Sequence, residues 1–125
     1  MRYIKIFIYT GLILSILNIF LSVYLFNLDV CVLNRGIAFG IRIEYEVLVS
    51  ILLLIFLIFI GIKTEGFLKY IILSIVGLGL SNLVVRILLN GVCDYIHILN
   101  ISFNLADIFL VLFSVVGGIF ILIKR

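Results

Sequence analysis

The chain has 125 residues, of which 66% are hydrophobic and 12% charged, and its mean hydropathy is +1.52. A soluble domain is nearer half apolar, so this composition points to an integral membrane protein. The formal charge of +3 is modest and gathered at the chain ends and one loop; it excludes a nucleic-acid surface and fits a cytoplasmic bias of basic residues.

A spanning helix needs about 20 apolar residues. Four spans would use most of the chain and leave short loops and tails, with no room for a separate soluble domain. The expected fold is an all-α membrane protein with four transmembrane helices. A small extended surface segment lies between the first two, and residues 1–125 form one domain.

Met1 to Lys5 is a short basic start, and the apolar run over about 6–26 follows it. That run is long and lacks a small-residue cleavage site before Asn27, so it reads as an uncleaved span. Ser15, Asn18 and Ser22 share one of its faces, a polar stripe that should point at other helices.

Asn27 to Glu46 is the longest polar segment, with Asp29, Arg35, Arg42, Glu44 and Glu46. Its alternation at Ile41, Ile43 and Tyr45 suggests short extended pieces on the membrane surface. Gly36 and Gly40 form a GxxxG, but charges flank it, so it is not read as a helix-dimerisation motif.

The second span is expected over 47–62, then a tight loop from Lys63 to Lys69. The third is expected over 70–90, with Gly77 and Gly79 allowing close helix approach. A second polar segment runs from Asp94 to Asn104, and the fourth span covers 105–123. Arg2, Lys5, Lys63, Lys69, Lys124 and Arg125 fall on one side, which is therefore cytoplasmic and holds both termini. Five of the six acids lie toward the other side.

Polar residues crowd the stretch from Ser81 to Asp107, which carries Asn82, Arg86, Asn90, Asp94, Asn100, Asn104 and Asp107. In a bilayer such residues mark a functional site by default. Asp94 and Asp107 are thirteen residues apart; on one unbroken helix that is a rise of about 20 Å. They can meet only if the chain turns back, and Gly91 and the run Asn100, Ser102, Asn104 are the expected place. Two close carboxylates share a proton and titrate as a unit, which suits one as base on a water and the other as acid on a carbonyl oxygen.

Each of these residues also has a plainer reading. Asn82 and Arg86 share a helix face, where Arg86 could snorkel to the interface and Asn82 glue helices together. Asn104 and Asp107 suit an N-cap and the third helical position of a capping box. Asp94 could be a solvated loop acid. The lysines map to the inner side, away from a serine–lysine mechanism. His97, the one histidine, reads as a loop or interface residue rather than part of a triad. Cys31, Cys93 and His97 match no standard metal spacing. The two cysteines could form a disulfide or stay free.

Three sets of residues resemble the lipoprotein signal peptidase (signal peptidase II) family. LNRGIAFGI, from Leu33, is similar to its N-x-G-x-AFG block, with Asn34, Gly36, Ala38, Phe39 and Gly40 in place. GLGLSNLVVR keeps Asn82 and Arg86 of the GN-x-x-DR block. GVCDYI and FNLAD resemble the blocks whose aspartates fall on Asp94 and Asp107. The chain departs from the pattern at Ser81 for the glycine and Val85 for the acid of the DR pair. The first helix of the family usually carries an Asp and, four residues on, a Lys; here the nearest polar positions are Asn18 and Ser22, with neither charge, and the interval between the aspartates is shorter.

The resemblance implies an aspartic endopeptidase of the bacterial cytoplasmic (inner) membrane, with its active site facing outward. Its substrate is a diacylglyceryl-modified prolipoprotein, cut just before the lipidated cysteine. Asp94 and Asp107 would be catalytic, and Asn34, Asn82, Arg86 and Asn104 would bind substrate and orient the pair. The segment from Asn27 to Glu46 would clasp the substrate, with the lipid left in the bilayer. No metal or cofactor is implied, the cyclic peptide globomycin is the expected inhibitor, and a monomer is expected. A second reading is a non-catalytic four-helix membrane protein that binds lipidated or helical partners.

Overall fold

The computed structural model describes residues 2–34 and 46–124, and side chains over 5–33 and 46–124. Four helices dominate: α1 (Arg2–Asn27), α2 (Glu46–Lys63), α3 (Phe67–Leu89) and α4 (Leu105–Lys124). Each is long and apolar enough to cross a membrane, and most of their large apolar side chains stay exposed, as lipid-facing residues do. The expected spans are therefore present. The tight loop is shorter than expected, Thr64 to Gly66. Gly66 adopts φ 76° just ahead of α3, so Lys69 lies in the helix's first turn.

The third helix is central and packs against α1, α2 and α4. Small residues set those distances. A Cβ on Gly79 would stand 2.9 Å from Leu54 Cδ2, so the expected close approach there is real; at Gly77 the nearest atom, Ser15 Oγ, is at an ordinary 3.5 Å. Below, Ile71, Leu78, Ala106 and Phe113 form the apolar core. Phe7 meets Phe67 edge-on at 5.2 Å, joining α1 to α3.

The polar stripe on α1 faces inward, as its spacing predicts: Ser15, Asn18 and Ser22 are all buried. Ser15 donates to the Gly11 carbonyl at 2.6 Å, a bond within its own helix. Ser22 Oγ, by contrast, is buried with no hydrogen-bond partner among the described residues.

The extended structure is larger than expected and divided between two connections. Strand β1 (Val32–Asn34) follows α1 and pairs antiparallel with β2 (Val92–Asp94), which follows α3. Then β3 (Ile96–Ile98) and β4 (Ile101–Phe103) form a hairpin leading into α4. The first sheet thus joins segments about sixty residues apart, which local patterning does not reveal. A disulfide between Cys31 and Cys93 pins the same two segments. His97 is exposed on the hairpin, with Nδ1 2.9 Å from Ser102 Oγ and Nε2 3.3 Å from the Val30 carbonyl; it links the hairpin to the segment between α1 and β1.

Candidate active site

The chain reverses where the glycine predicts. Helix α3 ends at Leu89, Asn90 takes the left-handed conformation (φ 61°), and the Asn90 and Gly91 N–H groups both donate to the Arg86 carbonyl. That capping is a usual way to satisfy the last carbonyls of a helix. It turns the chain directly into β2, whose last residue is Asp94.

Asp94 is not a solvated loop acid: it is only 3% exposed. Its Oδ1 accepts a hydrogen bond from Asn104 Nδ2 at 3.2 Å. The other end of the interval is the capping box the spacing suggests. The Asn104 backbone N–H donates to Asp107 Oδ2 at 3.1 Å, and the Asp107 N–H donates to Asn104 Oδ1 at 3.0 Å. Asn104, itself fully buried, therefore bonds to both carboxylates. Asp107 Oδ1 accepts from Asn82 Nδ2 at 3.4 Å. The capping geometry thus also places Asn104 and Asp107 beside Asp94.

Arg86 does not snorkel. It is 5% exposed, and its charge acts on the carboxylates of Glu46, Asp94 and Asp107. Asn82 joins helices as the packing reading expects, its Oδ1 accepting from Asn18 at 3.2 Å, and its amide also reaches Asp107. The structure thus gathers Asn82, Arg86, Asp94, Asn104 and Asp107 at one end of the helices. Asn34 closes β1, paired with Val92, so its backbone adjoins the strand of Asp94; its side chain lies outside the described residues. So do Gly36, Ala38, Phe39, Gly40, Arg42 and Glu44, and with them most of the expected clasp.

Two residues join the site that the chemistry-bearing motifs did not single out. Asn18, 0% exposed, uses all of its hydrogen-bonding capacity. Its amide donates to Ser81 Oγ and Asn82 Oδ1, both at 3.2 Å; its Oδ1 accepts from Tyr95 OH at 3.0 Å and the Ala106 N–H at 3.4 Å. Tyr95 OH also accepts from the Leu105 N–H at 3.0 Å. Burial pushes the Tyr95 phenol above its ordinary pKa and the charges of Asp107 and Asp94 add to this, while the bond from Leu105 pulls the other way. The N–H groups of Leu105, Ala106 and Asp107, which a helix start leaves unpaired, are thus met by Tyr95, Asn18 and Asn104. The polar face of Asn18 was visible in the sequence; Tyr95 gave no signal, since its partner is 77 positions away.

Two apolar grooves reach Asp107. One of about 230 Å³ runs between α2, α3 and α4, lined by Leu53, Leu54, Leu57 and Ile75 and headed by Asn82, Arg86 and Asp107. The other, about 290 Å³, is lined by Phe103, Asp107, Ile108, Val111 and Leu112.

Four apolar spans with two acids tied together at one end define a multi-pass membrane protein with a candidate acid–base centre at the end of its helix bundle. The family model described as signal peptidase (SPase) II matches residues 2–124, and the chain belongs to that family. Neither the curated proteins nor the solved structures give a significant match. Membership assigns the chain to a family of proteases that process lipoproteins.

Proposed function

We propose that the protein is an aspartic endopeptidase that removes the signal peptide from diacylglyceryl-modified prolipoproteins. The observation that carries this reading is the joint hold of Asn104 on Asp94 and Asp107, in a chain matched nearly end to end by the signal peptidase II family. One carboxylate takes a proton from a water, whose oxygen adds to the carbonyl carbon before the lipidated cysteine. The other, protonated, gives its proton to the carbonyl oxygen. The diol collapses, the peptide nitrogen leaves with a proton, and the pair returns to its starting state. Asn82, Arg86 and Asn104 hold the pair and the substrate backbone, and Asn34 completes the binding set.

The two grooves at Asp107 suit an apolar substrate that enters from the bilayer: the signal helix and the lipid chains stay among the spans while the scissile bond reaches the acids. The bacterial inner membrane is the expected location, with both termini cytoplasmic, the site outward and the enzyme monomeric. No metal or cofactor takes part, and globomycin inhibits.

Purified protein incubated with a diacylglyceryl-modified prolipoprotein tests this. Cleavage before the modified cysteine is expected, blocked by globomycin. Asp94→Asn and Asp107→Asn should each abolish it while the protein stays folded. Full activity in either variant would remove the aspartic mechanism. No cleavage by folded wild-type protein would leave a non-catalytic binder of lipidated or helical partners.

A further inference from the structure

The bonds of Tyr95 and Asn18 form a directed circuit that leaves α4 and returns to it. Leu105, the first residue of α4, has its N–H on Tyr95 OH. Because that N–H can only donate, the phenol accepts there and sends its own proton to Asn18 Oδ1. The Asn18 amide end is thereby turned toward α3, where it donates to Asn82 Oδ1. With its oxygen so engaged, Asn82 presents its NH₂ to Asp107 Oδ1. An amide flipped at either asparagine would aim an oxygen at an oxygen. Tyr95 directly follows Asp94, so the same hydroxyl ties the strand of one acid to the helix of the other.

We propose that Tyr95 is a positioning residue for the peptidase reaction: through Asn18 and Asn82 its hydroxyl fixes the donor that holds Asp107, and it sets Asp94 relative to Asp107. The inference rests on the peptidase reading above. Tyr95 touches neither substrate nor the reacting atoms; it acts through the two amides. Chains of hydrogen bonds of this kind strengthen one another in a low-dielectric interior, and a small misplacement of reacting groups slows a reaction steeply.

The test compares wild type, Tyr95→Phe, Asn18→Asp and the double variant on a lipidated prolipoprotein, with Asp94→Asn as the inactive control. Tyr95→Phe keeps the ring and removes one oxygen. Its kcat should fall about tenfold with KM little changed. Asn18→Asp keeps the acceptor for Tyr95 but cannot donate to Asn82, and should lose kcat on the same scale. The double variant should be no slower than the slower single one, because both break one circuit. A tyrosine that only supports the fold would lower thermal stability and leave kcat per folded enzyme unchanged. That result, or fully additive losses, overturns the inference while the peptidase reading stands. If Asn18→Asp does not fold, the kcat of Tyr95→Phe decides alone. Wild-type protein without activity overturns both.

Discussion

Arg86→Lys separates a residue that organises the site from one that merely adds charge. Arg86 is nearly fully buried and within electrostatic reach of Glu46, Asp94 and Asp107. Arginine offers a planar fork of five donors, whereas lysine concentrates its charge on one compact ammonium. A lysine at 86 keeps the charge but cannot serve several acceptors in the same geometry. Losing one charge-assisted hydrogen bond costs about 1.5–3 kcal/mol. At about 1.4 kcal/mol per decade, kcat/KM should fall by about tenfold to about a hundredfold. The loss should appear mainly in kcat, because the acids within electrostatic reach of Arg86 are those assigned to the chemistry, and misplacing reacting groups slows the chemical step. The assay is steady-state cleavage of a lipidated prolipoprotein in matched detergent, with thermal stability measured alongside. Wild-type efficiency in folded Arg86→Lys would refute the argument and reduce the residue to a source of positive charge.

Ser22→Ala removes a buried hydroxyl with no partner among the described residues and should leave stability unchanged or raise it by about 1 kcal/mol; a clear fall in the melting temperature would mean that Ser22 has a partner after all. The raised pKa of Tyr95 makes a pH prediction. Above about pH 10 the unfolded chain sheds the phenolic proton while the folded protein keeps it. Stability should therefore fall as pH rises toward the folded pKa, by at most about 1.4 kcal/mol per pH unit. Melting curves of Tyr95→Phe should be less steep over that range, and parallel curves would refute the assignment. For orientation, Ser102→Cys should react with a membrane-impermeant thiol reagent added from outside; labelling only from the cytoplasmic side would invert the topology.

What the sequence made legible was local. The spans follow from run length, and the inward stripe of Ser15, Asn18 and Ser22 from helical spacing. The reversal at Asn90 and Gly91 and the capping box at Asn104 and Asp107 rest on neighbours within a few residues. The pairing of β1 with β2 was not legible, because sheet partners can lie anywhere along the chain. The hairpin was legible only in part: Asn100, one of the residues expected to turn the chain, stands in its turn, but the two strands it joins were not read. Beside Asn100, Leu99 takes φ 55°, a conformation that turns usually give to glycine or asparagine, so one half of the turn carries no signal. The disulfide was one of two open readings and needed the same long-range pairing to decide it. Asp94 and Arg86 each had a solvent or interface reading that only their burial removes.

The departures from the family pattern form a consistent set once the packing is known. Asn18 and Ser22, the polar positions nearest the charged pair that the resemblance leads one to expect, and Val85, which stands for an acid, are all 0% exposed. Burying ions demands close pairing and full hydrogen bonding to offset lost hydration, and a neutral replacement that packs well is often equally stable. Val85 meets that requirement by having no polar group to satisfy. Asn18 meets it by engaging two donors and one oxygen with four partners. Ser22 meets it least well, as its oxygen finds no partner among the described residues. Of the charges at this end, Arg86, Asp94 and Asp107 are used by the proposed reaction, and Glu46 acts on Arg86. Removing a framework ion network therefore need not disable the site, provided that directed neutral hydrogen bonds still hold the acids in register. The Asn104 bridge and the Tyr95–Asn18–Asn82 circuit supply such bonds, and they act on the acids from both sides of the turn.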